Sequence, residues 1–199
     1  PRFNRMMLFH FHKSYFQSQF SARSMYHEYL GPIWNGDHET IPPPLLRLSA
    51  SELKKGKSSL VNRGVIGEYI AVMPEAAWKQ KQWRSKKYIE VLSKLDMPSV
   101  LIGSKIDNIC TDIQKGLENS IDLSGQTSLR EAMSIIANAR HVIGSDTGLV
   151  HAAEALGKNV SMILGPTSTE TGAGVSLDKS INIEKDLWCR PCSQNGSKK

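Results

Sequence analysis

The chain has 199 residues, of which 40% are hydrophobic and 22% charged, and its 25 Lys and Arg against 19 Asp and Glu give a net charge of +6. That length accommodates one domain, or one domain and part of another, and the composition is that of a soluble globular fold rather than a membrane span or a disulfide scaffold. The positive balance favours anionic partners such as nucleotide phosphates, anionic lipid headgroups or nucleic acid. The basic residues are scattered (Lys54-Lys55, Lys79, Lys81, Lys86-Lys87, Lys198-Lys199), which is the pattern of a solvated surface, so nucleic acid is set aside as a partner.

No secretory segment opens the chain, and because it begins at Pro1 without a methionine it is expected to be a fragment. Residues 1–62 are irregular. Met6 to Phe11 is apolar and aromatic, Ser24 to Leu30 has the composition of a short helix, and Gly31-Pro32, Asn35-Gly36 and Pro42-Pro43-Pro44 are loop chemistry. His10 and His12, if placed on a strand, would share one face, but no carboxylate or cysteine supports a metal there. Cys110 falls in an expected helix. Cys189 and Cys192 lack the second pair that a zinc site needs, so both are expected as reduced thiols in a terminal loop, and a reducing cytoplasm is the expected compartment.

From Val65 the pattern becomes regular. Tyr69 to Met73 reads as a strand ended by Pro74. Ser85 to Leu95 reads as an amphipathic helix with Tyr88, Ile89, Val91, Leu92 and Leu95 on its apolar stripe. A strand over Ser99 to Ile102, a helix over Asp107 to Leu117 and a short strand over Ile121 to Leu123 follow. Ser128 and Glu131 form a capping box ahead of a helix over Ala132 to Ala139. Strands alternating with helices imply a parallel sheet with helices on both faces, an α/β Rossmann-like domain. Neither a G-x-G-x-x-G turn nor a Walker lysine motif is present, so no dinucleotide is indicated.

The most informative stretch is His141 to Pro166. It reads as a strand ending near Gly144, a tight turn through Ser145-Asp146-Thr147-Gly148, a helix from Leu149 to Leu156 stopped by Gly157, and a second strand from Asn159 to Leu164. In such a unit the first turn lies at the carboxyl edge of the sheet, where open α/β folds bind ligands, and free N–H groups at a helix start suit a phosphate. A structural explanation is also available, with Asp146 as an N-cap and His151 as an ordinary helix histidine.

The run Asp146-Thr147-Gly148-Leu149-Val150-His151, followed by Ala155-Leu156-Gly157 and Leu164-Gly165-Pro166-Thr167, resembles the signature of glycosyltransferase family nine, the bacterial lipopolysaccharide heptosyltransferases. Lys81-Gln82-Trp83, Thr127-Ser128-Leu129 and Trp188-Cys189-Arg190-Pro191-Cys192 resemble further segments of that family in the same order, over about residues 68–192. Two departures stand out. Arg84 occupies a position where many members have proline, and Pro74-Glu75 stands where Pro-Gly is usual. The resemblance implies one half of a GT-B fold. Residues 1–45 would be the tail of an N-terminal acceptor-binding domain, 46–64 a linker, and 65–199 the C-terminal nucleotide-sugar-binding domain.

The resemblance further implies an inverting transfer of a sugar from a nucleotide-diphospho-sugar, ADP-heptose-like, to a lipid-linked lipopolysaccharide core acceptor. No essential metal or cofactor is expected. The location would be cytoplasmic, with peripheral contact at the anionic inner face of the membrane. Lys81 is expected as the cation for the diphosphate, together with the helix start at Thr147, Gly148 and Leu149 and with His151 in support. Asp146 is expected to accept from donor-sugar hydroxyls, Asp107 from the ribose, and Thr127 and Ser128 to edge the base pocket. The catalytic base is expected in the N-terminal domain and has no counterpart here. Two other readings share the fold: another GT-B nucleotide-sugar enzyme such as an epimerase, which should lack the 146–151 run, and a non-catalytic nucleotide-binding module.

Overall fold

The computed structural model describes residues 2–16, 21–33, 41–191 and 193. Cys192 and the Asn35-Gly36 turn lie outside the described residues. Its centre is a six-stranded sheet, all parallel: β1 (Ile70–Met73), β2 (Ser99–Leu101), β3 (Ser120–Asp122), β4 (His141–Ser145), β5 (Val160–Ile163) and β6 (Ile181–Ile183), in the spatial order β3-β2-β1-β4-β5-β6. Helices α4 (Ser85–Leu92), α5 (Ile109–Gln114), α6 (Leu129–Asn138) and α7 (Gly148–Ala155) connect the strands.

The apolar run of β1 is buried at every position because both faces of the sheet are covered. Ile70 and Val72 join Tyr88, Leu92, Leu101, Ile109 and Ile113 beneath α4 and α5. Ala71 and Met73 point the other way, into a larger core with Ile135, Ile136, Val142, Val150 and Met162 beneath α6 and α7. The expected α/β architecture with helices on both faces is therefore what forms. Within α4 the stripe is narrower than its spacing suggests: Tyr88 and Leu92 are buried while Val91 and Leu95 are exposed, because α4 ends at Leu92 and only one side meets the sheet.

Three regions differ from expectation. The stretch read as a linker over 46–64 contains α3 (Ala50–Val61), capped by the reciprocal Ser49–Glu52 box and packed on α6. Asn138 Nδ2 donates to Leu53 O at 3.0 Å and Ser134 Oγ donates to Glu52 O. The contact is made through a small residue, Gly56, where a Cβ would come within 2.9 Å of the Ser134 backbone, and this leaves little apolar periodicity to read. The His10–His12 pair does not lie on a strand: His10 lies in the last turn of helix α1 (Arg2–Phe11), and His12 just beyond it has a positive φ of 52°. A helix turns residues two apart to different sides, so the shared face is lost. The edge strand β6 was not foreseen, since three residues with both isoleucines exposed carry no usable pattern. The second short helix, α2 (Ala22–Glu28), falls where expected and starts at a Ser21–Ser24 capping box.

Candidate donor-binding site

The strand order reverses direction at β1 and β4. From β1 the chain proceeds to β2 and β3 on one side, and from β4 to β5 and β6 on the other, so the loops after β1 and β4 diverge and leave a crevice at their carboxyl ends. The two strand ends are tied together. The Ser145 hydroxyl donates to Pro74 O at 3.1 Å and lies 3.2 Å from the Tyr88 hydroxyl, which burial pushes up in pKa. Gly144 allows α7 to lie close over the sheet, because a Cβ there would sit 2.7 Å from Met73 O and 2.6 Å from a Val150 methyl.

Asp146 follows β4 directly and gathers three side chains. Lys81, on the 3-10 turn Lys79–Lys81 after β1, places Nζ 2.7 Å from Asp146 Oδ2, with the two side chains only 14% and 10% exposed. His151 Nε2 lies 3.3 Å from Asp146 Oδ1, and Thr167 Oγ1 donates to Oδ2 at 3.3 Å. Burial by itself would raise the Asp146 carboxyl; the hydrogen bonds and charges of His151 and Lys81 outweigh it and hold the group well below the usual carboxylate range. Gly165 makes room for the Lys81 turn, since a Cβ there would lie 2.8 Å from Gln80 O.

Helix α7 begins beside this cluster without a side-chain cap. Thr147 occupies the N-cap position in extended geometry, and its hydroxyl makes no capping bond. The N–H groups of Val150 and His151 reach Thr147 O, whereas those of Gly148 and Leu149 have no hydrogen bond among the described residues. A Cβ on Gly148 would meet nothing within 4 Å, so this side of the helix start is open space.

Two adjoining cavities run along the carboxyl edge. The larger, about 840 Å³, is walled by Lys79, Gln82, Trp83, Asp107 and Thr147 among others. The smaller, about 330 Å³, has Met73, Ile102 and Leu149 as apolar walls with Thr127 and Ser128 at its edge. Thr147, Glu75 and Ser104 line both. Asp107 is already held, with Gln82 Nε2 donating to Oδ2 and Ile109 N to Oδ1 at 3.1 Å. Ser128 Oγ accepts from Glu131 N at 3.2 Å, and so caps α6 while lining the smaller cavity.

The structure thus brings Lys81, Asp146 and His151 into one cluster, sets Thr147, Gly148 and Leu149 beside it, and places Asp107 in the larger cavity and Thr127 with Ser128 in the smaller. The sequence reading kept Lys81 and Asp146 in separate roles; here they are paired. It also missed Thr167 and Arg190. The Arg190 guanidinium donates to Gly165 O at 2.8 Å, Lys185 O at 2.8 Å, Thr167 O at 2.6 Å and Glu184 Oε2 at 2.7 Å, fixing the loop that carries Thr167. Both residues stand in stretches already singled out, but the contacts of Thr167 with Asp146 and of Arg190 with Gly165 and Thr167 cross more than twenty positions and leave no local trace. Among the described residues no three His, Cys, Asp or Glu side chains gather as a metal site, and no helix is long and apolar enough to cross a membrane.

Comparisons with known proteins bear on the family and the fold. The family model for glycosyltransferase family 9 (heptosyltransferase) matches residues 27–199. Lipooligosaccharide heptosyltransferase 2 of Haemophilus ducreyi is 33% identical over 140 residues, covering 63% of this chain and 40% of that protein. The chain therefore spans about two fifths of the length of the curated relatives it matches. Among solved structures, E. coli ADP-heptose lipopolysaccharide heptosyltransferase II superposes with a TM-score of 0.63 at 24% identity, over 76% of this chain and 48% of that one. A family 9 glycosyltransferase from Veillonella parvula gives 0.72 at 16% identity, over 84% and 51%. A more distant neighbour, the dodecameric glycosyltransferase TibC of enterotoxigenic E. coli (TM-score 0.51, 17% identity, 64% and 34% covered), is described as iron-containing. With the family model spanning most of its length and the fold matching the family's solved members, the chain belongs to glycosyltransferase family 9.

Proposed function

We propose that this chain is the donor-binding half of a heptosyltransferase that moves a heptose from an ADP-heptose-like donor to a lipopolysaccharide core acceptor, with inversion. The observation that carries the reading is the uncapped start of α7 next to the Lys81–Asp146 pair at the switch point of the sheet. A leaving diphosphate needs positive potential where its charge develops, and unsatisfied N–H groups at a helix start supply it without the cost of reorganisation.

In this reading Thr147, Gly148 and Leu149 hold the diphosphate. Lys81 adds its cationic charge once the donor competes with Asp146 for it. Asp146, anionic and kept so by its partners, accepts from hydroxyls of the donor sugar. His151 orients Asp146 and reaches the phosphate side. Thr127 and Ser128 edge the base pocket, with Asp107 on the nucleoside side of the larger cavity. The domain division at residues 45 and 65 belongs to the same reading, as do a lipid-linked acceptor, a base contributed outside residues 1–199, a metal-independent transfer, and a cytoplasmic position at the inner membrane face. The names of the similar proteins support the donor and the reaction class.

Calorimetric titration with ADP, UDP, GDP and CMP, with and without magnesium, tests the proposal. Selective ADP binding that is indifferent to magnesium is expected. Preference for another nucleotide would replace the donor, and binding only in the presence of magnesium would overturn the metal-independent site.

A further inference from the structure

Asp146 is served by three side chains, and one of them is held in place from outside the two cavities. Lys81 Nζ and Thr167 Oγ1 both donate to Oδ2, at 2.7 and 3.3 Å, while His151 Nε2 lies 3.3 Å from Oδ1. A carboxylate offers about four lone-pair sites. Two donors therefore fill Oδ2, one occupies Oδ1, and one site on Oδ1 is left. The terminal torsion of an aspartate is broad and sets no orientation by itself. Where the remaining site points depends on the donors, and a lone ammonium on a flexible stem fixes it less well than two donors converging on one oxygen.

Thr167 does not hold its own place. It is buried in the loop that follows β5, just after Gly165-Pro166, on no helix or strand. Arg190 supplies the support. Its nearly buried guanidinium donates through Nη2 to Thr167 O at 2.6 Å and through Nε to Gly165 O at 2.8 Å, and so grips the loop on both sides of Pro166. Through Nη1 and Nη2 it also reaches Lys185 O at 2.8 Å and Glu184 Oε2 at 2.7 Å, just after β6. Glu184 Oε1 in turn accepts from Thr169 Oγ1 at 3.3 Å. The planar fork thus clamps the ends of β5 and β6 together, a task for which a lysine has too few fixed directions. On its other side the clamped loop lies against the Lys81 turn, where a Cβ on Gly165 would come within 3.3 Å of Lys81 Cα.

We infer that Arg190 is a positioning residue of the donor site: by fixing Thr167 it holds the Asp146 carboxylate in the rotation that leaves one acceptor site for a hydroxyl of the donor sugar. This rests on the nucleotide-sugar reading above. It brings the segment after β6, which lines neither cavity of that site, into donor recognition.

The test is calorimetric titration of the whole 199-residue chain with ADP and with ADP-heptose. The readout is the sugar gain, the factor by which ADP-heptose binds more tightly than ADP, because a merely structural role lowers both affinities alike. Thr167→Val removes the hydroxyl and keeps the carbonyl that Arg190 grips, whereas Arg190→Ala removes the clamp. Each is expected to cut the sugar gain by about five- to tenfold, since one hydrogen bond to a charged acceptor is at stake. The double variant should lose no more than either single one, as expected of two residues in one line of contacts. Arg190→Lys should fall between the wild type and Arg190→Ala, and it stands in for Arg190→Ala if that variant fails to fold. An unchanged sugar gain in either single variant overturns the inference, as does a double variant whose loss is the product of the two single losses. A wild type that binds neither ligand brings down the donor reading, and one that binds both alike brings down the sugar contact of Asp146; either takes this inference with it. A sugar gain present in the wild type and kept in the variants removes this inference alone.

Discussion

Helices α6 and α7 both start at the carboxyl edge of the same sheet, after β3 and β4, yet their first turns are finished differently. At α6, Ser128 accepts from Glu131 N, and the helix start is closed by its own residue. At α7, Thr147 stands in the same extended cap geometry but makes no such bond, and the acidic residue before it, Asp146, is turned away into Lys81 and His151. A cap that could have closed the helix is engaged elsewhere, and two N–H groups face open space. The α6 start is closed by its own side chain; the α7 start leaves the N–H groups of Gly148 and Leu149 without a hydrogen bond among the described residues, which is the premise of the proposed phosphate site.

The sharpest way to break this contrast is Lys81→Ala. It removes the cation from a carboxylate that is only 10% exposed, and uncompensated buried charge is expensive, so a loss of about 3 kcal/mol of stability is expected in denaturant melts. ADP affinity should fall together with it, by roughly tenfold or more, if Lys81 reaches the diphosphate. A stable variant with unchanged ADP affinity would remove Lys81 from the site. The pH dependence sharpens the same point. The folded Asp146 carboxyl lies below its ordinary value, so the stability it contributes is fully present above the ordinary carboxylate range and is lost as pH falls through the depressed folded value. The difference in melting temperature between wild type and Lys81→Ala should therefore be flat from neutral pH down to the ordinary carboxylate range, and should shrink below it.

Gly148→Pro is a more selective cut. Proline is tolerated at the first helical position, Thr147 already has the extended backbone that precedes proline, and nothing lies within 4 Å of a Cβ at residue 148. Stability should change by less than about 1 kcal/mol, while the loss of one N–H donor weakens ADP by roughly five- to tenfold. Equal ADP affinity in this variant would mean that α7 does not hold the phosphates. Ser128→Ala probes the other helix. It should cost about 1 kcal/mol in a thermal or denaturant melt through the lost cap, with a smaller effect on ADP than either change at the α7 start. A larger loss of affinity than of stability would shift weight from α7 to the base pocket.

Much of this was legible in the chain itself. The strands at β1, β2, β4 and β5 show as short apolar runs ended by Pro74, Gly103 or Gly165-Pro166. The α6 cap shows as Ser128 three before Glu131, and the turn ahead of α7 shows as Asp146-Thr147-Gly148 between a strand and a helix. These are local patterns, fixed by backbone geometry over a few residues. Helix α3 escaped because only Gly56 and Leu60 are buried on it and its other ties are side-chain-to-backbone bonds, too few apolar positions for a stripe, and β6 because an exposed three-residue edge has no period.

What the sequence determined by itself was the order of strands and helices, and with it a parallel sheet whose first turns line up at one edge. What only the tertiary structure decided was who meets whom at that edge. It pairs Lys81 with Asp146 across 65 positions and brings Arg190 to the carbonyls of Gly165 and Thr167. Chain order sets hydrogen bonds between near neighbours, whereas charge pairing and burial depend on which loops the sheet's strand order folds against one another.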